Sequence, residues 1–333
     1  GWVGLFTADL LGLDASAFSH MQSTLTAEDV SKTAAVSLPQ LVTSLIPTNI
    51  FLDLTGARSV SVIGIVIFTL LAGVALLKVK KEAPEEGQKL SSGINAIQIW
   101  VMKMVRIVIA LTPYGVLALM AKVFSTYQLA QFTSLLGFIA ACYLAVAIMF
   151  IVHAILLLVS GHHPLRYFKT VWPVLTFAFV SRSSAASIPL AITAQEKFGV
   201  PNTIANIAAS FGSSMGQNGC AGIYPAIMVA MIAPTLGIDP LSFSFLASLL
   251  PAIALGSIGV AGVGGGGTFA ALIVLSTLNF PVALVGIFIA IEPIVDMART
   301  ALNVNGSMMS GVLASRLLKH QSAKSHHVAS ISE

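Results

Sequence analysis

Asp296, Arg299, Thr300, Asn303 and Ser307 follow one another at spacings of three, one, three and four residues, and Glu292 lies one turn ahead of them. On a helix these spacings put all six on one stripe. They sit within Ile291 to Leu318, a stretch that otherwise reads as a membrane-length helix. A charge at the centre of a bilayer costs about 2.5–3.5 kcal/mol on insertion scales, so ionisable residues at that depth are expected to serve function. A carboxylate, a guanidinium and an amide on one face suit a zwitterion. Asp296 would take an ammonium, Asn303 a carboxylate, and Arg299 would grip a second carboxylate in bidentate fashion. The structural alternative is an Asp296–Arg299 ion pair that only joins helices. Glu292, beside Pro293, reads either as a proton-carrying group or as an interfacial residue.

The elements that must hold this stripe are written in the composition. The 333 residues are 56% hydrophobic and 9% charged, and the mean hydropathy is +0.91. Soluble domains carry about 25% charged residues, so the chain reads as an integral membrane protein. Val60 to Leu77, Ile97 to Val123 and Phe132 to Ser160 are each charge-poor and long enough to cross about 30 Å of hydrocarbon. The net charge of +4 does not signal nucleic acid, because the basic residues gather at span ends. Lys78, Lys80, Lys81 and Lys89, then Arg166 and Lys169, then Arg316, Lys319 and Lys324 mark a cytoplasmic side that includes the C-terminus. The expected location is the inner or plasma membrane. Cys142 and Cys220 lie in apolar segments and offer no disulfide framework. Gly1 to Phe18 has no basic start and reads as the tail of a span, so the chain is expected to begin inside a longer protein.

The second half departs from simple spans. Val171 to Val180 and Ile188 to Gln195 are too short to cross, and "SRSSAAS" lies between them, which predicts a re-entrant hairpin entering from inside. "FGSSMGQNGCAG" then interrupts the charge-free run Val200 to Ile238 with four glycines. A second re-entrant hairpin, broken by "GVAGVGGGGTF", is expected to enter from outside. Two hairpins of opposite entry, each followed by a helix, form an inverted repeat: Val171 to Leu236 and Ser242 to Leu318. That is the arrangement of a secondary transporter, with its site near mid-membrane where helices break. The fold class read here is an all-α membrane protein, a multi-span helical bundle with two re-entrant hairpins in an inverted repeat.

Two soluble-enzyme motifs carry no weight in this setting. Gly262, Gly264 and Gly267 spell a dinucleotide fingerprint without a βαβ unit. Gly212 to Gly216 spells G-x-S-x-G without a strand, turn and helix around it, and His153 is the only histidine placed at depth as a base. The chain is read as no enzyme.

The strings "FVSRSSAASIPL", "FGSSMGQNGCAGIYP", "GVAGVGGGGTFAALIVL" and "EPIVDMARTALNVNGS" occur in an order and spacing that resembles the dicarboxylate/amino acid:cation symporters, the glutamate-transporter homologues. The resemblance runs from Pro47 to about Lys319, with the family's first three helices absent from this chain, and "GQNGCAG" looks most like its L-cystine transporter branch. It implies a homotrimer with a fixed scaffold and a transport domain that moves like an elevator. The implied division is residues 1–56 as the end of a span and outer loop, 57–127 as scaffold helices and 128–322 as the transport domain, with a tail at 323–333. Within the transport domain fall a re-entrant hairpin at 163–199, a helix at 200–238, a hairpin at 240–281 and a helix at 282–320.

By the same resemblance, Asp296 takes the substrate's α-amino group, Asn303 and the Ser183–Ser184 tip its α-carboxylate, and Arg299 its distal end. Thr300, Cys220, Gly262, Val263 and Gly267 line the side-chain space. The implied activity is L-cystine import by cation symport. The alternatives are a glutamate, aspartate or C4-dicarboxylate symporter and, from another class, a passive anion channel. Where sodium-driven members show N-x-D-G-T this chain has Gly216 to Cys220, and it has Ser307 in place of an aspartate. Hard cations prefer carboxylate and carbonyl oxygens, so two sodium positions are weakened. Ser214, Asn218, Ser257, Ile258, Val260, Glu292 and Ser307 remain as cation-coupling candidates, with H+ or Na+ as the coupling ion and no other cofactor.

Overall fold

The computed structural model describes residues 1–11, 47–55, 61–110, 114, 136–257, 262, 265–278, 280, 285, 288 and 291–329. Every regular element among them is helical: α1 (Trp2–Leu10), α2 (Ile50–Leu54), α3 (Ser61–Glu82), α4 (Pro84–Ala110), α5 (Leu136–Val159), α6 (Pro164–Ser181), α7 (Ser184–Phe198), α8 (Asn202–Gly212), a π-helical turn (Asn218–Ile223), α9 (Tyr224–Ile232), a 3-10 turn (Ala233–Leu236), α10 (Phe243–Gly256), α11 (Gly266–Thr277) and α12 (Glu292–Ala329). The chain divides into two compact units, Gly1–Leu38 with Leu129–Glu333, and Pro39–Gln128. By length and composition, one helix among the described residues, α5, is long and apolar enough to cross a membrane, with a mean hydropathy of 2.7.

In the smaller unit, α3 covers the expected span Val60 to Leu77, and α4 begins well before Ile97. The charged stretch between the two expected spans is therefore helical, apart from a break at Ala83. The local charges favour this. Lys80 and Lys81 close α3, and Glu85 and Glu86 open α4, each sign at the helix end whose dipole it complements. Lys80 Nζ donates to Ser91 Oγ at 3.1 Å, and a Cβ on Gly87 would lie 2.7 Å from Lys80 Cα, so the glycine permits the close return. The remainder of the expected span to Val123 and the expected outer loop lie mostly outside the described residues.

The larger unit is built around α12, which packs on α5, α6, α7, α8 and the π-helical turn. Its buried apolar side chains divide by height: Val295 and Leu302 join a core with Phe138, Tyr224 and Phe288, while Met308 and Val312 join one with Leu157, Tyr167 and Val171. Every residue of α9 is buried, as expected of a helix that is apolar all round. Helix α1, read in the sequence as the tail of a span, packs on α5 and α9 in this same unit. A Cβ on Gly4 would lie 2.8 Å from Ile223 O, which shows how closely α1 approaches the break.

Helix breaks fall at the expected interruptions: one at Arg182 and Ser183, which holds neither glycine nor proline, and one after Gly212. Helices α6 and α7 pack on one another across a two-residue joint, Arg182 and Ser183. Both exceed the apolar stretches that suggested them, because Pro164 starts α6 at its first turn and Gly199 ends α7 in the left-handed region at φ 101°. Helix α8 stops at Gly212, and the chain resumes as the π-helical turn at Asn218. Helices α10 and α11 also pack together, and most of the glycine-rich joint between them lies outside the described residues.

Candidate functional site

Helix α12 brings its acids and its arginine into one buried cluster. Arg299 is 0% exposed, and its Nη2 donates to Asp296 Oδ1 at 3.3 Å and to Glu292 Oε1 at 3.5 Å. Its guanidinium carbon lies 3.8 Å from the centre of the Tyr224 ring, a cation–π contact from the first residue of α9. Asp296 Oδ1 also accepts from the Thr300 hydroxyl at 3.4 Å and the Cys220 thiol at 3.5 Å. Among the described residues, Asp296 Oδ2 and Arg299 Nε and Nη1 have no hydrogen-bond partner. A buried charge left this way is costly unless something of opposite charge meets it.

The break after α8 is held in place by a side chain from α12. Asn303 Oδ1 accepts from Gly219 N at 2.7 Å and Cys220 N at 3.4 Å, and Asn303 Nδ2 donates to Gln217 Oε1 at 3.1 Å and Cys220 Sγ at 3.0 Å. Amide N–H groups at a helix start have no partner within the helix, and here Asn303 supplies one across the fold. The approach requires glycine. A Cβ on Gly219 would lie 2.6 Å from Arg299 O, and one on Gly267 would overlap Arg299 Nη1.

Gly262, which precedes α11, meets the joint between α6 and α7. Its carbonyl accepts from Ala185 N at 2.9 Å and from Ser183 Oγ at 3.2 Å, while Ser183 Oγ itself caps α7 by accepting from Ala186 N at 3.1 Å. Ser184 is buried beside them, with its Cβ 3.1 Å from where a Cβ on Gly262 would be. Arg182 adopts the left-handed region at φ 52°, the only non-glycine residue to do so among those described. The acids of α12 make their ion pairs with Arg299.

The structure therefore assembles Asp296, Arg299, Thr300, Asn303, Cys220 and Gly267, and separately Ser183, Ser184 and Gly262. Of the cation-coupling candidates, Glu292 belongs to the first group. It also accepts from Thr268 N at 3.2 Å and Thr268 Oγ1 at 2.5 Å. Asn218 lies against His153, with Nδ2 3.2 Å from Nε2. Ser214 is buried next to Ser213, while the Ser257 and Ser307 hydroxyls donate back into their own helices at Ala254 O and Val304 O. Val263, Ile258 and Val260 lie outside the described residues.

Sequence reasoning missed Tyr224 and Thr268, the contact of Gln217 with Asn303, and the way Tyr167 and Asn305 join His153 and Asn218 in one buried string. The Asn305 amide spans Tyr167 OH at 3.2 Å and His153 Nδ1 at 2.8 Å. Tyr224 follows Cys220 by four residues, one turn along the same face, which is the one signal that pointed to it. Thr268 and Tyr167 lie on elements distant in sequence from the stripe.

A helical bundle that buries two acids and an arginine beside a broken, glycine-opened helix fits the class of membrane carrier proteins. The profile of the sodium:dicarboxylate symporter family matches residues 1–317, and the chain belongs to that family. It is a transporter-family membrane protein, not an enzyme, and the match takes in the residues before Pro47 that the motif resemblance had left aside. The chain is 49% identical over 314 residues to the L-cystine uptake protein TcyP of Bacillus cereus, covering 94% of this chain and 68% of the relative. It is 52% identical over 284 residues to an uncharacterized symporter of Haemophilus influenzae, covering 85% and 64%. It is 51% identical over 283 residues to TcyP of Shouchella clausii, covering 85% and 61%.

Proposed function

We propose that this chain carries the substrate site of an L-cystine importer driven by cation symport. The observation that carries the reading is the pairing, in one buried cluster, of the Asp296 Oδ2 oxygen with the Arg299 Nε–Nη1 edge, neither met by a partner among the described residues. An ammonium suits the first and a carboxylate the second. Cystine has an amino acid group at each end, so it presents both to a site of this kind, and the names of the relatives support that substrate. The α-carboxylate would take the donors that Gly262 O now engages, Ser183 Oγ and Ala185 N, and Asn303 Nδ2 would turn to it from Gln217. Thr300, Cys220, Val263 and Gly267 would flank the chain of the substrate.

In this reading residues 57–127 are scaffold and 128–322 move as an elevator within a homotrimer, with α6–α7 and α10–α11 as re-entrant hairpins of opposite entry and the C-terminus in the cytoplasm. The coupling ion is H+ or Na+, handled among Ser214, Asn218, Ser257, Ile258, Val260, Glu292 and Ser307. Uptake of labelled cystine by the purified protein in proteoliposomes tests this, under a sodium gradient and a proton gradient in turn, with excess aspartate as competitor. Saturable uptake driven by one gradient and indifferent to aspartate is the expected result and names the cation. Accumulation of aspartate instead would move the protein to the dicarboxylate and acidic amino acid carriers. Non-saturable anion flux would make it a channel. If the driving ion is the proton, Glu292→Gln is expected to abolish proton-driven uptake, and full uptake by that variant removes Glu292 from the role.

A further inference from the structure

Glu292 stands between two claims on its carboxylate. Thr268 holds it by two bonds, from its hydroxyl at 2.5 Å and its amide N–H at 3.2 Å, whereas Arg299 Nη2 reaches it only at 3.5 Å. Charge-assisted N–H to carboxylate bonds ordinarily close to about 2.7–2.9 Å. The opposite charge thus has the longer contact, and the neutral hydroxyl the shorter. Thr268 lies in the first turn of α11, where the helix dipole favours a carboxylate, and its amide N–H is shared between Glu292 and Gly265 O at 3.1 Å, so the hydroxyl carries most of the hold. The consequence falls on Arg299. A carboxylate drawn towards α11 leaves the guanidinium incompletely neutralised, and Nε and Nη1 are the atoms without partners among the described residues.

We propose that Thr268 is a positioning residue that keeps Glu292 from closing on Arg299, and so keeps the guanidinium available for the substrate's second carboxylate. Removing the hydroxyl frees Oε2, and the carboxylate then turns towards Arg299 and competes with the substrate for it. The proposal rests on the reading that Arg299 takes a substrate carboxylate.

Equilibrium binding of labelled cystine to the purified protein in detergent, at fixed sodium concentration and pH, tests it on Thr268→Ser, Thr268→Val, Glu292→Gln and the Thr268→Val, Glu292→Gln double variant. Thr268→Ser retains the hydroxyl and is expected to bind within about twofold of wild type, and Thr268→Val to bind about tenfold more weakly, the scale of one hydrogen bond to a charged group. The double variant is expected to bind as Glu292→Gln does alone, because an amide carries no charge with which to neutralise Arg299. A purely structural threonine would weaken the double variant further, and that result, or wild-type binding by Thr268→Val, overturns the proposal. If the wild type binds no cystine, the reading of the site fails instead. Thermal unfolding of the same variants then decides the positioning: non-additive effects of the two substitutions retain it and additive effects overturn it.

Discussion

Gly267 lies so close to Arg299 that a Cβ added to it would overlap Nη1 and come within 3.0 Å of Cζ. The start of α11 is thereby shaped to the guanidinium, and the absence of a side chain at residue 267 is part of the charge cluster. Gly267→Ala is expected to push Arg299 out of line with Asp296 and Tyr224 and to weaken cystine uptake at least about tenfold, since overpacking a filled site costs about 1–3 kcal/mol. A Cβ added to Gly93 in α4 would meet nothing within 4 Å, so Gly93→Ala provides the contrast. It is expected to leave uptake unchanged and to raise stability by about 0.5–1 kcal/mol. Parallel uptake and thermal unfolding measurements check both.

Asn303→Ala should be among the most destabilising single changes in the larger unit. It takes from Gly219 N the shorter of its two acceptors, from Cys220 N an acceptor and from Gln217 Oε1 a donor, at about 0.5–1.5 kcal/mol for each buried bond. A clear fall in the thermal unfolding midpoint in detergent is expected even without substrate. An unchanged midpoint would show that the break holds itself.

His153 joins α5 to the break through Asn218 and to α12 through Asn305. His153→Leu matches the apolar surroundings yet removes a partner from both amides, so it is expected to lower the midpoint. Tyr167→Phe removes the far end of the same string, and its loss combined with that of His153→Leu should be less than additive. Strict additivity would show that the string does not act as a unit.

Arg182 bears a left-handed backbone at φ 52°, which costs a non-glycine residue about 1–2 kcal/mol. Arg182→Gly relieves that cost while loosening the unfolded chain, so the midpoint is expected to hold or rise slightly. A fall of more than about 1 kcal/mol in unfolding free energy would show that the Arg182 side chain, not the turn, secures the joint.

Much of this was legible in the residues themselves. The stripe on α12 was set by its spacing, the break after α8 by its glycines, and the helical class by apolar length, because each is a local property of the chain. Three features were not legible for one shared reason. The partners of Glu292, Asn303 and His153 lie 24, 84 and 152 residues away, at Thr268, Gly219 and Asn305. No periodicity reports on contacts at that separation. Asn303 shows the difference best: its amide type suggested a carboxylate ligand, while packing also gives it the broken helix to cap.

Residue order alone was enough to say which side chains share a face, where helices must stop, and that charges would be buried in an apolar chain. How those charges are shared was settled by packing between distant elements. Arg299 is held between Asp296 and Glu292 and over Tyr224, while Glu292 is drawn aside by Thr268. The division has a physical cause: a helix fixes the neighbours of a side chain three and four residues away, but the strength of a buried charge pair depends on every donor that the rest of the fold brings to it.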